Sequence, residues 1–173
     1  MEGVLLMELV TGAEGDAAPR LNDCIFSAEE AIAHHATLLR EVVRMLCAGV
    51  IHGDLSEFNV LLGADGPVII DLPQAVDAAG NNHAQRMLLR DVNNLRDFFG
   101  RSAPALLDSA YGPEIWALFE KGLLRTDTVL SGVFAKPVKA VDLGGVVREI
   151  DDARAEEKAR RERLQDRQQN PRH

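Results

Sequence analysis

The stretch HGDLSEFN, residues 52–59, comes immediately before two short apolar runs, VLL at 60–62 and VII at 68–70. The segment GADGP between the runs is a typical turn sequence, and Asp71 directly follows the second run. Two short apolar runs joined by such a turn predict a β-hairpin. We therefore expect residues 52–59 to form a loop that leads into a hairpin.

The predicted register of this hairpin brings polar residues together at its open end. A turn centred on Asp65 pairs Val60 with Ile70 and, one step further, Asn59 with Asp71. Directly opposed residues of an antiparallel pair have Cα atoms roughly 5 Å apart. The pattern thus predicts that Asn59 faces Asp71.

Asp54 adds a second carboxylate near this end, because the loop between Asp54 and Asn59 is short enough to curl back. Two carboxylates and an amide oxygen are ligands that suit Mg²⁺, a hard cation that keeps waters for phosphate oxygens. Phosphoryl transfer needs such a cation and a separate carboxylate that orients the attacking hydroxyl or water. The alternative is that Asp54, Asn59 and Asp71 are ordinary turn and cap residues.

Two long helices are predicted on either side of the hairpin. Ser27 and Glu30 form a capping box for the first, and Gly49 ends it. Its apolar positions recur at spacings of three and four, namely Ile32, Ala36, Leu39, Val43 and Leu46. The second helix runs over residues 83–99, with Gly100 closing it and Asp91 interrupting its apolar face.

Shorter elements complete the predicted order. An apolar run at 4–10 indicates a strand, Pro104 begins a short helix, and residues 113–121 form another. Asp142 could cap a last helix that continues into the charged residues 151–167. Together the elements indicate a mostly helical α+β fold.

Composition limits the function classes. The chain has 173 residues, 46% of them hydrophobic, which fits one globular domain with a tail. No apolar run approaches the roughly 18 residues that span a bilayer, and the first residues lack a signal-peptide pattern. Two cysteines without CxxC spacing are typical of a reduced, cytoplasmic protein.

Charge is unevenly distributed along the chain. Residues 1–150 carry 12 basic and 21 acidic side chains, whereas the tail at 151–173 carries seven basic and six acidic ones. An acidic body is a poor match for nucleic acid, so direct DNA binding is not expected. The tail is expected to be a charged helix that ends in disorder.

The motifs resemble the RIO family of atypical serine/threonine protein kinases and ATPases. HGDLSEFN at 52–59 is followed by IDLPQ at 70–74 and LRD at 89–91, and the resemblance extends from the Met7-Glu8 segment to about residue 165. It implies a protein-kinase-like C-terminal lobe with a hinge and a small catalytic hairpin over residues 1–150. The implied cofactors are ATP and Mg²⁺.

The resemblance also implies roles for individual residues. Asp54 would be the catalytic aspartate, and Asn59 and Asp71 would be metal ligands. Asp71 would also be a candidate for an aspartyl-phosphate. Asp91 would be structural and would accept hydrogen bonds from the backbone of the catalytic loop.

ATP contacts are implied at two places. Met7 would be the gatekeeper of a hinge in which the backbone near Glu8 and Val10 meets adenine. Ser56 and Glu57 of the catalytic loop would be further cofactor-binding residues.

The sequence departs from ordinary kinases in several ways. Gly53 replaces the arginine that many kinases place before the catalytic aspartate, and only residues 72–82 separate Asp71 from the next helix, too few for a long activation loop. These features favour ATP hydrolysis, autophosphorylation or action on one bound partner. We find no G-x-G-x-x-G loop and no lysine before residue 121, so we expect the N-terminal lobe to be absent and nucleotide binding to be weak.

Two other classes remain open. Aminoglycoside and choline kinases are similar in H-G-D-x-x-x-x-N, but usually carry His-Pro-Gly where this chain has Ser-Glu-Phe at 56–58. A non-enzymatic binding module is the other alternative. A protein or ribosomal partner, contacted through arginines of the tail, is suggested only by analogy with the family; the arginines are Arg160, Arg161, Arg163 and Arg167.

Overall fold

The computed structural model describes residues 8–72 and 75–135, and those up to Phe134 belong to one compact unit. Most of the predicted strand at 4–10 and the whole predicted helix from Asp142 lie outside the described residues. Residues 8–10 are not part of a strand. In the described part of the chain, three α-helices and two small antiparallel sheets confirm the α+β class.

Helix α1 spans Ala28–Cys47 and begins at the predicted capping box. The Ser27 hydroxyl accepts the Glu30 N–H at 3.2 Å, and the Glu30 carboxylate accepts the Ser27 N–H at 2.8 Å. This reciprocal bonding lowers the pKa of Glu30. Gly49, at φ 81°, lies just beyond the helix end, as predicted.

The buried face of α1 differs from the predicted one. Ile32 is 47% exposed, whereas His35 is buried between the rings of Phe99 and Tyr111. The prediction was wrong for Ile32 and for Ala36, which is also exposed, because the aromatic rings opposite α1 accept a histidine, which hydropathy ranks as polar. Leu39, Val43 and Leu46 are buried as expected.

Helix α2 spans Ala84–Gly100, and its end also corrects the prediction. Gly100 does not close the helix with a left-handed residue, since the next residue, Arg101, is itself helical. A Cβ at Gly100 would overlap the side chain of Leu107. The glycine therefore serves the close approach of α2 to the 3₁₀ helix at Pro104–Asp108.

The other elements are short. Helix α3 spans Tyr111–Glu120, close to the predicted 113–121, and a 3₁₀ turn spans Leu21–Asp23. Strand β1, Val50–Ile51, pairs with β4, Val76–Asp77, in an antiparallel ladder.

Strands β2, Val60–Gly63, and β3, Gly66–Ile69, form the predicted hairpin with a different register. Val60 pairs with Ile69, not with Ile70, because the loop has two residues, Ala64 and Asp65, instead of three. The predicted pairing of Asn59 with Asp71 is therefore wrong. The Ile70 N–H donates to the Asn59 carbonyl at 2.9 Å, so Asp71 lies one residue past that pair.

One hydrophobic core joins the helices to both sheets. Its largest fully buried apolar residues come from all these elements and include Leu21, Leu38, Leu46, Ile51, Leu55, Leu88, Leu95, Phe99 and Ile115. Leu55 lies inside the loop that the motif predicted. The core thus fixes that loop from within. None of the described helices has the length and apolarity to cross a membrane.

Candidate active site

The backbone of the loop at 52–59 is held by one buried carboxylate. The Gly53 N–H donates to Asp91 Oδ2 at 2.7 Å, and the Leu55 N–H donates to Oδ1 at 3.0 Å. Asp91 is 1% exposed, and burial raises the pKa of its carboxyl, while the two N–H donors and the Arg90 guanidinium oppose this rise. The structural role that the resemblance implied for Asp91 is confirmed.

Gly53 owes its identity to backbone conformation. Its φ is 83°, in the left-handed region that side chains other than glycine rarely adopt. The same residue both turns the chain and points its N–H at Asp91. The positive φ therefore explains why this position, where many kinases have arginine, is occupied by glycine.

His52 connects the loop to the strand that precedes Asp71. Its Nε2 lies 3.0 Å from the Ile70 carbonyl, which can only accept, so the proton is on Nε2. The ring is 3% exposed. This hydrogen bond gives His52 a structural role, since it joins the loop to the residue directly before Asp71.

Arg90 is the cation beside the exposed Asp54. Its Nη2 donates to the Gly53 carbonyl and lies 4.0 Å from Asp54 Oδ1. Both side chains are about half exposed, at 54% and 55%, so the ion pair itself contributes little stability. The guanidinium instead holds the loop through its hydrogen bond to the Gly53 carbonyl.

Asn59 is tied to the same loop. Its Nδ2 donates to the Asp54 carbonyl at 2.7 Å, and its own N–H donates to the Ser56 carbonyl at 3.0 Å. Nδ2 is used in this way and no described residue donates to Oδ1, so among these residues the amide oxygen is available to a ligand. The loop therefore presents Asp54 and Asn59 as one unit, as predicted from their spacing.

Asp71 has a backbone conformation that is uncommon for a residue with a side chain. Its φ of 67° is the one positive value among the described residues other than glycine. Aspartate is among the few residues that tolerate this region, and such conformations cluster at functional sites. Asp71 is exposed and directly follows the pair formed by Asn59 and Ile70.

Of the five residues predicted to contact ATP, the structure describes four. Met7 lies outside the described residues; Glu8 is exposed and Val10 half-buried, with its carbonyl accepting the Ala18 N–H at 2.9 Å. The Glu57 carboxylate lies 3.8 Å from Arg101 and is 15% exposed. Contacts of Glu8, Val10, Ser56 and Glu57 with ATP stay predictions.

Sequence reasoning missed two residues that shape the loop. Arg90 has the contacts given above, and Asn94 donates from Nδ2 to the Leu55 carbonyl at 2.9 Å. A signal was present, since Asn94 follows Asp91 by three residues and so shares its helix face. Polar residues next to the buried Asp91 were therefore the ones to inspect.

The donor set fits a magnesium ion that keeps waters. Asn59 Oδ1 and the Asp71 carboxylate are two oxygen ligands of the kind that bind Mg²⁺ together with phosphate oxygens. Across residues 8–72 and 75–135, no group of three or more His, Cys, Asp or Glu side chains is arranged to hold a metal. A cation here would thus depend on waters and phosphate for its remaining ligands.

The loop clamped by Asp91, the hairpin after it and the exposed Asp71 stand in the order of the motifs that resemble the RIO family. A family model described as the RIO domain matches residues 1–111, more than half of the chain. The chain belongs to the RIO domain family, which confirms the resemblance carried by the motifs.

Curated relatives are named as RIO-type kinases. The RIO-type serine/threonine-protein kinase Rio1 of Haloferax volcanii is 41% identical over 110 residues, 62% of this chain and 36% of the relative. The RIO-type serine/threonine-protein kinase Rio1 of Methanocaldococcus jannaschii is 36% identical over 102 residues, which are 58% of this chain and 33% of the relative. The probable serine/threonine-protein kinase RIO1 homolog of Encephalitozoon cuniculi is 36% identical over 99 residues, which are 57% of this chain and 24% of the relative. The matched part is thus between 24% and 36% of the length of these relatives.

Proposed function

We propose that this chain carries the catalytic loop of an ATP- and Mg²⁺-dependent phosphotransferase, a RIO-type serine/threonine protein kinase or ATPase. The observation that carries the proposal is the clamp of Asp91 on Gly53 and Leu55. It fixes the backbone on both sides of Asp54 while leaving the Asp54 side chain exposed. Asp91 thus fixes the loop backbone while the carboxylate of Asp54 stays accessible, an arrangement that suits a catalytic loop.

In this proposal Asp54 orients the acceptor hydroxyl or water and accepts its proton. Arg90 Nη2, 4.0 Å from Asp54 Oδ1, would place positive charge beside that carboxylate. Asn59 Oδ1 and Asp71 would hold Mg²⁺, which would neutralise charge on the phosphate oxygens when bound. The hydrogen bond from Asn59 Nδ2 to the Asp54 carbonyl would hold the metal ligand Asn59 at a fixed position relative to the catalytic Asp54.

The proposal includes an aspartyl-phosphate at Asp71. A carboxylate oxygen would form a bond to the γ-phosphorus while the bond from that phosphorus to the bridging oxygen breaks and ADP leaves. Water would then hydrolyse the acyl phosphate. The exposure of Asp71 and its unusual backbone conformation support this role.

We further propose that the 173 residues alone bind nucleotide weakly and turn it over slowly. They contain no glycine-rich phosphate loop, and their four lysines all follow the catalytic loop. The phosphates would therefore lack the backbone N–H groups and the cation that usually hold them. The polypeptide should gain affinity when a segment supplying these groups is joined to it.

Calorimetric titration of Mg·ATP into the purified chain tests the proposal. We expect binding with a Kd between about 10 μM and 1 mM, a binding free energy of roughly −7 to −4 kcal/mol. This binding should be lost in Asp71→Asn. Asparagine tolerates the backbone conformation of Asp71, so the change removes charge without strain. Asp77→Asn, at an exposed aspartate of β4, is the matched control and should bind like the wild type.

Two results would contradict the proposal. Absence of binding up to several millimolar would leave the chain as a non-enzymatic binding module, and equal binding by Asp71→Asn would place nucleotide elsewhere. The RIO match favours a protein acceptor over an aminoglycoside or choline. A cytoplasmic location and a protein or ribosomal partner stay predictions.

A further inference from the structure

A row of basic side chains runs along the first turns of α2. We define the basic stripe as Arg86 and Arg90, which are four residues apart on one face of α2, together with His83, the residue immediately before the helix. All three are exposed, whereas Ala84 and Leu88 of the same turns are buried in the core. The stripe therefore faces solvent along its whole length.

The stripe ends at the candidate active site. Arg90 Nη2 lies 4.0 Å from Asp54 Oδ1, and Arg86 lies about one helical turn before Arg90 in α2. Among the residues that the structure describes, neither His83 nor Arg86 makes an ion pair, so the Arg86 guanidinium is available to a partner.

The charge of the stripe contrasts with that of the body. Residues 1–150 have an excess of acidic over basic side chains, 21 against 12. A basic row on such a body gives a local attraction for negative groups that the rest of the surface repels. An acidic ligand would therefore be directed to the side of Asp54 on which the stripe lies.

We propose that the basic stripe binds an acidic segment of a protein acceptor and so places a serine or threonine hydroxyl at Asp54. The inference rests on the proposed function and names its substrate class. Neighbouring positions of the stripe are roughly 5–6 Å apart, and carboxylates at every second residue of an extended peptide are separated by roughly 6.6 Å. Two carboxylates of an acidic peptide can thus lie opposite His83 and Arg86 while Arg90 keeps its hydrogen bond to the Gly53 carbonyl.

An RNA ligand fits these observations less well. Phosphate backbones carry closely spaced charge, and proteins that bind them usually present a broad basic face. The stripe is one residue wide, and the body around it is acidic. The geometry therefore favours a short run of carboxylates over a nucleic acid.

Fluorescence anisotropy with a defined probe tests the proposal. The probe is a short fluorescein-labelled peptide with one serine flanked by glutamates, and its control has glutamine at each glutamate position. We expect Arg86→Gln to weaken binding of the acidic probe about threefold, which is what one exposed ion pair contributes. The double variant His83→Gln and Arg86→Gln should weaken it further, and Arg86→Lys should retain most of the affinity.

Arg40→Gln is the matched control for charge. Arg40 is an exposed arginine of α1 that lines a cavity of about 550 Å³ between α1 and residues 126–130, and it makes no contact with the loop at 52–59 among its hydrogen bonds and ion pairs in the described chain. Its removal should leave probe binding unchanged. Equal losses for Arg40→Gln and Arg86→Gln would mean that only net charge matters, and would overturn the proposal.

The outcomes separate this proposal from the proposed function. Probe binding that depends on Arg86, in a chain that does not bind Mg·ATP, would support the stripe as a docking surface while the phosphotransferase proposal fails. Mg·ATP binding with probe affinity equal in the wild type and Arg86→Gln would overturn the stripe alone. Tighter, Arg86-dependent binding of a single-stranded RNA of equal charge would overturn the acidic-peptide assignment.

Discussion

Asp91 Oδ2 accepts a hydrogen bond from the backbone N–H of Gly53 at 2.7 Å, although the two residues are 38 positions apart in the sequence. The contact joins helix α2 to the loop that carries Asp54, and the Leu55 N–H completes it on the other oxygen. A carboxylate that is 1% exposed is costly to bury unless donors surround it. The clamp therefore links the stability of the fold to the shape of the candidate active site.

Replacing Asp91 should destabilise the fold strongly. Asp91→Ala leaves two buried N–H groups without an acceptor, and each such group costs roughly 1–3 kcal/mol. We expect the free energy of unfolding to fall by about 3 kcal/mol in urea titrations followed by the fluorescence of Trp116. Asp97→Ala, at an exposed position of the same helix, is the control and should change it by less than about 0.5 kcal/mol. A loss below about 1 kcal/mol for Asp91→Ala would show that the loop finds other acceptors.

Gly53 should not tolerate a side chain. Gly53→Ala must keep a φ of 83°, which costs roughly 1–2 kcal/mol for an alanine. Denaturant unfolding should show a loss of at least that size. Gly12→Ala is the matched control, because its φ is not in the left-handed region and its added Cβ would make only ordinary contacts at 3.8 Å or more. Equal stability of the two variants would contradict the conformational argument.

The elements that local chemistry decides could be predicted from the sequence. The reciprocal bonds of Ser27 and Glu30 involve residues three apart, so the start of α1 needed no knowledge of the rest of the fold. Asp91 was recognisable because a charge in an apolar helix face requires a buried partner. The motif then indicated that the partner was the loop.

What could not be predicted depends on distant packing or on small differences in turns. The choice between a loop of two and of three residues moved the hairpin register by one and separated Asn59 from Asp71. The burial of His35 depended on two aromatic rings from α2 and α3. Arg90 is an exposed arginine whose role follows only from the position of the loop beside it.

Gly100 and Leu107 should show strong energetic coupling. Gly100→Ala would gain helix propensity but force its Cβ into the Leu107 side chain, so we expect a net loss of about 1 kcal/mol. Leu107→Ala alone should also destabilise, by removing a side chain that is still half-buried. In the double variant the new methyl group occupies the vacated space. A double-mutant cycle should therefore give a coupling energy of about 1 kcal/mol or more, and additive losses would contradict the close approach.

His35 should make the fold sensitive to mild acid. Burial lowers its pKa from 6.5 to about 4, so the folded state resists protonation that the unfolded chain accepts. Because the pKa of His35 is lower in the folded state than in the unfolded chain, the fold keeps its full stability above pH 6.5 and loses stability as the pH falls towards 4. Between pH 7.5 and pH 5 this group alone should remove about 2 kcal/mol of unfolding free energy.

The contribution of His35 can be isolated by comparing the same pH change in two variants. His35→Gln cannot be protonated, so its unfolding free energy should fall by about 2 kcal/mol less than that of the wild type over this pH interval. His34→Gln changes the neighbouring histidine, which contacts Phe26, and should retain the full loss because His35 is intact. If His35→Gln loses as much stability as the wild type, then His35 is protonated in the fold at pH 5. The aromatic site of Phe99 and Tyr111 would then have to admit a charge, which its burial argues against.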